Sequence, residues 1–314
     1  MNDIGMSDWK RMNQEFINEL NVVIGKENIR LEELMAKHTT FQIGGPAQVF
    51  VTPKTVEEIQ QIVQLCNANE VPFFVLGNGS NLLVSDRGMD GVVIQLYHNF
   101  SDFQIEKNIV TAKAGAMLAA IGNAAGKAEL TGFEFAAGIP GTLGGAVVMN
   151  AGAYGGEMKD IIKKVLLMDL DGNIFEKSCE EMDFGYRHSI VEEAHYIVLG
   201  AVLELAEGDK DAIRSRMKEL SEARREKQPL EFPSAGSTFK RPEGYFAGKL
   251  IMDANLRGYR VGGAQISEKH CGFVVNRGGA TAADVQKLIK DVQDKVYDTF
   301  QVRLEPEVKL VGRQ

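Results

Sequence analysis

The segment EFPSAGSTFKRP, residues 231–242, contains a serine whose neighbours do not suit a nucleophile. Ser237 lies between Gly236 and Thr238, in a loop that has two prolines and no histidine. A nucleophilic serine needs a general base within hydrogen-bonding reach. The local sequence therefore argues against attack by Ser237. It leaves another role open, and it equally allows a loop serine that bonds its own backbone.

A first glycine-rich segment could hold the pyrophosphate of a nucleotide cofactor. VLGNGSNLLVSD, residues 75–86, follows an apolar run. Its successive backbone N–H groups would form an anion nest, and the candidates are Gly77, Asn78, Gly79, Ser80 and Asn81. Leu82 stands where a GxGxxG fingerprint has its last glycine, and the end of a Walker A loop is missing. The alternative is an ordinary Asn-Gly turn.

A second segment, AAGIPGTLGGAVVMNAGAYGGE over residues 136–157, contains seven glycines among apolar residues. Backbone of this kind can lie flat against a large planar ligand. A buried, tightly packed connection is the alternative. Two such segments without a Rossmann signature favour a dinucleotide that is held outside the Rossmann scheme.

Apolar periodicity predicts the elements that must position these segments. Helices are predicted over 13–38, over 55–70 with a capping box of Thr55 and Glu58, over 207–229 and over 281–300. Strands are predicted at VPFFVLG, GVVIQLY, AHYIVLGAVLELA and LEPEVKLVG, and a hairpin at KKVLLMDLDGNIFEKS that turns at Asp171-Gly172. The charged composition that starts near residue 206 predicts a domain boundary there.

Composition excludes several classes of function. A net charge of −8 argues against a general nucleic-acid surface. The three cysteines, at 66, 179 and 271, form no CxxC pair, and the five histidines show no metal-ligand spacing, so we expect no metal site and no disulfide framework. We expect a reducing, cytoplasmic setting. We predict no signal peptide, because MNDIGMSDWKRMNQEF has charges where a signal peptide needs an apolar stretch. We predict no membrane helix, because no apolar run approaches the roughly 20 residues required.

Eight segments, in order over residues 39–308, resemble the UDP-N-acetylenolpyruvoylglucosamine reductases. They are TTFQIGGPA, LGNGSNLLVSDRG, AGIPGTLGGAVVMNAGAYGGE, FGYRHS, PSAGSTFKRP, AGKLIMDANLRGYRVGG, HCGFVVN and LEPEV. The resemblance is to the shorter class of that family, because only about 20 residues separate Leu205 from Arg224 and leave no room for the substrate-loop insert of the longer class.

The resemblance implies an α+β fold, with a bilobal FAD-binding domain of the vanillyl-alcohol-oxidase type and a smaller α+β substrate domain. We expect a helical extension over 1–30, the FAD domain over 31–206 with lobes 31–97 and 98–206, the substrate domain over 207–302, and a strand within 303–314 that returns to the FAD domain. FAD would be non-covalent, because no clear tether is present and Cys66 falls on a helix stripe. Its flavin and ribityl would be lined by Ile139, Pro140, Gly145, Val148, Gly152 and Ala153.

The resemblance also implies a reaction. NADPH reduces FAD, which delivers a hydride to the enolpyruvyl group of UDP-N-acetylglucosamine enolpyruvate and gives UDP-N-acetylmuramate for peptidoglycan synthesis. Ser237 would protonate the carbanionic carbon, as a general acid without a histidine. Arg187 and Glu307 would stabilise the developing charge, with Glu307 either protonated or holding Arg187 and water. Alone, Arg187 also fits a surface salt bridge, and Glu307 a solvated strand residue.

Three further residues are expected to contact substrate by the resemblance. Lys227, with Arg224 and Arg225 nearby, would bind the diphosphate, although a solvated basic face is the alternative. Tyr154 matches a tyrosine of the family that contacts substrate. His270 occupies a family position for a polar substrate contact, although the match there is poorer. We expect a monomer whose partners are the UDP-sugar and NADPH, with no nucleic acid and no membrane. The rival functions are a flavin oxidase of the same fold and a non-catalytic flavin- or nucleotide-binding module.

Overall fold

The computed structural model describes residues 4–313, with side chains from residue 14 onward, so the first three residues of the predicted N-terminal extension lie outside the described part. The helices are α1 (Ile4–Ile24), α2 (Val56–Ala68), α3 (Leu118–Lys127), α4 (Leu143–Val148), α5 (Ile190–Glu193), α6 (Lys210–Lys227), α7 (Ala247–Asp253) and α8 (Ala282–Phe300).

Nineteen strands are present in this part of the chain, and most are short. They are β1 (Ile29–Leu34), β2 (Pro46–Val51), β3 (Phe73–Leu76), β4 (Leu82–Val84), β5 (Met89–Gln95), β6 (Phe103–Glu106), β7 (Ile109–Lys113), β8 (Leu130–Thr131), β9 (Gly152–Ala153), β10 (Gly156–Glu157), β11 (Ile162–Met168), β12 (Ile174–Ser178), β13 (Ile197–Glu204), β14 (Ala206–Glu207), β15 (Ser234–Ser237), β16 (Arg260–Val261), β17 (Ala264–Ile266), β18 (Phe273–Asn276) and β19 (Lys309–Val311).

The chain forms two compact units, each assembled from separated segments. Unit 1 contains the chain up to Glu32, Gln48–Gly77 and Gly91–Arg214. Unit 2 contains Glu33–Ala47, Asn78–Asp90 and Ser215–Gln314. The domain bounds expected from the sequence run continuously along the chain instead, and they remain a prediction.

Unit 1 is built on an antiparallel sheet in the order β12-β11-β13-β7-β6. Strands β3 and β5 pair in parallel in a second sheet. The buried apolar faces of α1, α2 and α3 share one core with these strands, and Leu20, Ile59 and Ile121 are fully enclosed in it. The hairpin β11–β12 is confirmed, and its connecting loop is organised by Asp169, whose Oδ1 accepts from the N–H groups of Asp171 and Asn173 at 2.9 Å.

Two local predictions in this part of the chain are wrong. The helix predicted over 13–38 ends at Ile24, because Gly25 has φ +75 and leaves the helical region, and residues 29–34 form strand β1. Pairing of β1 in its sheet overrides the helical pattern of IRLEEL. The predicted capping box of α2 is only half formed. Thr55 Oγ1 accepts from Glu58 N at 3.2 Å, but Glu58 Oε2 accepts from Lys54 N instead of Thr55 N.

Unit 2 has an antiparallel sheet in the order β15-β18-β17-β16, against which α8 packs its predicted apolar face. A capping box of Thr281 and Asp284 starts α8 as its sequence requires. Strand β19 pairs in parallel with β4. The strand predicted over LEPEVKLVG is therefore shorter than expected, since it covers only Lys309–Val311. No helix in residues 4–313 is long and apolar enough to cross a membrane.

Candidate cofactor and substrate site

A cavity of about 370 Å³ in unit 1 brings together three of the predicted FAD residues. Gly77 lines it after β3, and Gly145 and Val148 line it from α4. The helix is fixed at its start by Thr142, whose Oγ1 accepts from Gly145 N at 3.5 Å. Gly145 is exposed, and an added Cβ would meet Thr142 Oγ1 at an ordinary 3.7 Å. A side chain at position 145 would therefore extend into space that a cofactor could use.

The other predicted FAD residues of unit 1 do not line this cavity. Ile139 and Pro140 precede α4, half-buried and exposed respectively. Gly152 and Ala153 form strand β9. The residues that complete the lining are mainly aromatic and aliphatic, which suits a planar ring system. They include Phe73, Val75, Leu96, Leu170, Tyr196 and Ile197.

In unit 2, the turn residues of the first glycine segment are engaged with their own chain. Gly79 has φ +63, and an added Cβ would lie 2.2 Å from the carbonyl oxygen of His38. Any side chain at position 79 would displace backbone, so we expect a substitution there to disturb folding as well as a cofactor contact. Asn81 Nδ2 donates to the carbonyl of Glu307 at 3.1 Å. Asn78 and Ser80 are half-buried beside these residues in the sequence.

Ser237 lies at the end of β15, directly after a bulge. The pairing of β15 with β18 shifts register between Ser234 and Ser237, and Gly236 supplies the φ of +77 that the bulge needs. An added Cβ on Gly236 would have nothing within 4 Å, so the approach to this strand end is open. Ser237 is half-buried, and among residues 14–313 its hydroxyl has no hydrogen bond. The loop serine bonded to its own backbone is thus not what the structure contains.

The backbone of unit 2 brings Glu307 alongside the strand that carries Ser237. Glu307 N donates to the carbonyl of Thr238 at 2.8 Å, and Phe239 and Pro306 form a β-bridge. Thr238 is itself fixed in the sheet, because its Oγ1 accepts from Val274 N at 3.0 Å. Glu307 is half-buried and precedes β19, so it is not the fully solvated strand residue considered above.

Arg187 occupies a strained turn in unit 1. Gly185 and His188 exchange two backbone hydrogen bonds, of 3.1 and 3.3 Å, which leaves Tyr186 and Arg187 as a two-residue loop. Arg187 has φ +55, where turns ordinarily use glycine or asparagine. Its guanidinium carbon lies 5.4 Å from the ring centroid of Tyr186. A bulky residue in this conformation is a frequent sign of function.

Tyr154 occupies a similar position at the tip of the β9–β10 hairpin. Ala153 pairs with Gly156, so Tyr154 and Gly155 form a two-residue loop. Their φ values, +54 and +90, are those of a type I′ turn, in which the first residue is usually asparagine, aspartate or glycine. Tyr154 is 43% exposed, at the tip of this turn.

The predicted substrate residues Lys227 and His270 have different surroundings in unit 2. Lys227 is the exposed last residue of α6 and has no ion pair in the described part of the chain. His270 Nδ1 accepts from Gly272 N at 3.1 Å, so its Nε2 carries the proton of the neutral ring and is the group left to contact a ligand. Burial lowers the pKa of His270 below its usual value, which favours that neutral form.

Among the described residues the cysteines form no disulfide, and no group of side chains forms a metal centre. All three cysteines are free thiols. Burial raises the pKa of Cys66 to about 12, which makes it unreactive. Within residues 14–313, whose side chains are described, no group of three or more histidine, cysteine, aspartate or glutamate side chains could hold a metal ion.

Comparisons with known proteins identify the family. Residues 228–311 match the model of the UDP-N-acetylenolpyruvoylglucosamine reductase C-terminal domain, and residues 47–178 match that of an FAD binding domain. The UDP-N-acetylenolpyruvoylglucosamine reductase of Clostridioides difficile (strain 630) is 55% identical over 297 residues, which cover 95% of this chain and 97% of that protein. The chain belongs to the UDP-N-acetylenolpyruvoylglucosamine reductase family. The reductase of Lachnoclostridium phytofermentans is 52% identical over 307 residues, covering 96% of this chain and 99% of its own.

Solved structures agree with this assignment. The crystal structure of the reductase from Thermus caldophilus, at 40% identity, has a TM-score of 0.78 and covers 90% of this chain and 99% of its own. That coverage agrees with the predicted shorter class of the reductase family. The grass pollen protein Phl p 4.0202, a glucose dehydrogenase, has a TM-score of 0.51 at 16% identity over 62% of this chain and 44% of its own, which shows the fold alone. The predicted α+β fold with an FAD-binding domain of the vanillyl-alcohol-oxidase type is confirmed.

Three residues that position the site were not anticipated from the sequence. Thr142 Oγ1 lies so close to Gly77 that a Cβ added at position 77 would overlap with it. Asn150 and Ser189 are buried polar residues. The Asn150 amide donates to the carbonyl of Gly185 in the Arg187 turn, and the Ser189 hydroxyl donates to the carbonyl of Val148 in α4. A threonine before LGGAVV is a recognisable N-cap signal, but the bonds of the other two depend on contacts between distant segments.

Proposed function

We propose that this reductase uses NADPH and FAD to convert UDP-N-acetylglucosamine enolpyruvate into UDP-N-acetylmuramate, for peptidoglycan synthesis. The observation that carries the proposal is the half-buried hydroxyl of Ser237, which has no hydrogen bond in residues 14–313 and lies on a strand whose neighbouring backbone carries Glu307. A hydroxyl that is free to donate, without a base beside it in the sequence, suits a general acid and not a nucleophile.

The residues of unit 1 fit the cofactor. The cavity beside α4 has an apolar lining, and Gly77, Gly145 and Val148 lie on its wall. Gly145 leaves open the space that a side chain would fill. When bound, FAD supplies the hydride chemistry that links NADPH to the enolpyruvyl carbon. We propose that Ile139, Pro140, Gly152 and Ala153 also contact it, that Gly77–Asn81 bind its pyrophosphate, and that the binding is non-covalent.

Ser237 would protonate the substrate carbon that becomes negatively charged. This carbon is a strong base, because its charge is stabilised only by the adjacent carboxylate. A hydroxyl can therefore protonate it when the serine oxygen lies within about 2.6–3.2 Å of that carbon. The open space at Gly236 permits such an approach. The transfer breaks the O–H bond of Ser237 and forms the C–H bond of the product, and solvent returns a proton to the serine oxygen.

Arg187 and Glu307 would act on the substrate carboxylate and the proton. The guanidinium is a rigid fork that binds carboxylate through two parallel hydrogen bonds, and this bond strengthens as charge moves onto the carboxylate. Glu307 would either be protonated or hold Arg187 and water. We propose further that Lys227 binds the diphosphate and that Tyr154 and His270 Nε2–H contact the sugar nucleotide.

We infer that the protein works in the cytoplasm as a monomer. Its three free cysteines are those of a protein in a reducing compartment. Size-exclusion chromatography with light scattering tests the oligomeric state, and a mass near twice 34.5 kDa would contradict the monomer.

The variant Ser237→Ala tests the proposed function by separating the two half-reactions. Removing the hydroxyl breaks no hydrogen bond, so flavin content and reduction of the flavin by NADPH should be unchanged. Reoxidation by the UDP-enolpyruvyl sugar should slow by roughly 10²- to 10⁴-fold, as expected for loss of a general acid. Stopped-flow absorbance measures each half-reaction separately.

The neighbouring variant Thr238→Val is the matched control. It removes a hydroxyl one residue away and leaves the buried Val274 N–H without its acceptor, at a cost of about 1–3 kcal/mol in stability. It should therefore lower the melting temperature but retain much of the reoxidation rate. Equal loss in both half-reactions for Ser237→Ala would show a structural role. NADPH consumption that does not depend on the UDP-sugar would favour an oxidase, and no consumption would favour a binding module.

A further inference from the structure

Asn150 joins three segments of unit 1 through one buried side chain. It follows α4 and is 1% exposed. Its Nδ2 donates to the carbonyl of Gly185 at 3.0 Å and to Glu157 Oε2 at 2.6 Å. Its Oδ1 accepts from Lys159 N at 2.9 Å. Both amide hydrogens and the amide oxygen are therefore used, so this buried polar group is fully satisfied and holds its partners in one arrangement.

The segments that Asn150 joins carry two of the proposed substrate residues. Gly185 directly precedes the two-residue loop formed by Tyr186 and Arg187. Glu157 pairs with Gly152 in the hairpin whose tip is Tyr154. The other Glu157 oxygen, Oε1, lies 2.6 Å from Lys159 Nζ, which fixes the carboxylate that Asn150 bonds.

A buried hydroxyl holds the Arg187 turn from its other end. Ser189 is fully buried, and its Oγ donates to the carbonyl of Val148 at 2.6 Å. The turn is thus bonded to α4 or its C-terminal end on both sides of Arg187. Backbone in a strained conformation persists only where its surroundings determine it strongly, and the φ of +55 at Arg187 needs such support.

We propose that Asn150 is a positioning residue, which orients Arg187 toward the enolpyruvyl carboxylate by holding the carbonyl of Gly185. The inference rests on the proposed function of Arg187. Asn150 itself has φ +43, a conformation that asparagine and glycine adopt most easily. Glycine at this position would keep the backbone and remove only the amide.

The experiment compares Asn150→Gly with a matched control, Asn28→Gly. Asn28 is also a buried asparagine of unit 1, and its Nδ2 donates to the carbonyl of Ile24. For the oxidised holoenzyme, calorimetry gives the affinity for the enolpyruvyl UDP-sugar and for UDP-N-acetylglucosamine, which lacks the carboxylate. Asn150→Gly should weaken binding of the first by roughly tenfold. It should leave the second nearly unchanged, because Lys159 and the pairing with Gly152 still hold Glu157 and the Tyr154 hairpin. Asn28→Gly should change neither.

A double-mutant cycle with Arg187→Ala decides whether the two residues act together. In the Arg187→Ala background, Asn150→Gly should weaken enolpyruvyl-sugar binding less than twofold further, because the group that it positions is gone. Additive losses, or an equal loss of affinity for UDP-N-acetylglucosamine, would overturn this inference alone. An Arg187→Ala variant that binds both sugars normally would overturn the proposed role of Arg187 and this inference with it.

Discussion

The strained conformation of Arg187 makes a prediction that separates its backbone from its side chain. The substitutions Arg187→Ala and Arg187→Gly both remove the guanidinium and its contact with the Tyr186 ring. Only glycine adopts a φ of +55 without steric cost. The two variants should therefore have the same catalytic defect and different stabilities.

The magnitude follows from the turn geometry. A left-handed conformation costs a residue with a side chain roughly 1–2 kcal/mol. Glycine also gives the unfolded chain greater conformational freedom, which lowers the stability of the Gly variant by about 0.4–1 kcal/mol and offsets part of this gain. Arg187→Gly should thus be more stable than Arg187→Ala by about 0.5–1 kcal/mol, or roughly 1–4 °C in melting temperature.

The catalytic loss has its own scale. A hydrogen-bonded pair with a charged group contributes about 1.5–3 kcal/mol, so kcat/KM for the UDP-sugar should fall roughly 10- to 100-fold in both variants. Calorimetric melting at saturating FAD and steady-state kinetics measure the two effects. Equal melting temperatures would refute the strain argument. Activity that differed between the variants would show that the backbone, and not the lost guanidinium, determines the rate.

Three further predictions concern the cofactor, the diphosphate and pH. Gly145→Val should give a folded protein with less bound FAD, whereas Ala120→Val, at another exposed helix position, should keep its full FAD content. Full flavin occupancy in Gly145→Val would contradict the proposed contact. Lys227→Ala should raise KM for the UDP-sugar with a smaller change in kcat, whereas the control Lys295→Ala, at another exposed lysine, should change neither. An unchanged KM would show that Lys227 belongs to a solvated basic face and does not bind the diphosphate. Because burial lowers the pKa of His270, the unfolded chain takes up its proton first as pH falls below about 6.5, so stability is full above that pH and declines below it. Urea unfolding at several pH values should show a shallower decline in His270→Asn, and an unchanged slope would contradict the reasoning.

The local elements of the chain were predictable where a pattern and an end signal coincide. Thr281 and Asp284 cap α8, and Thr55 starts α2, as their sequences indicate. The prediction failed after Gly25, where charged residues with helical propensity pair as strand β1. That pairing involves strands distant in sequence, so it is invisible to a local pattern.

The sequence by itself determined the family, the α+β class and the chemistry expected of Ser237, because eight motifs in order constrain the chain more than any one of them. It did not determine how the residues are held. Ser237 pairs with Phe273 directly after a register shift, which the φ of +77 at Gly236 allows. Glu307 lies beside Thr238 because Pro306 bridges to Phe239, just after β15. The Arg187 turn depends on Asn150, 37 residues earlier, whose amide bonds the carbonyl of Gly185. Such contacts join segments far apart in sequence, and their geometry exists only once the core around them has packed.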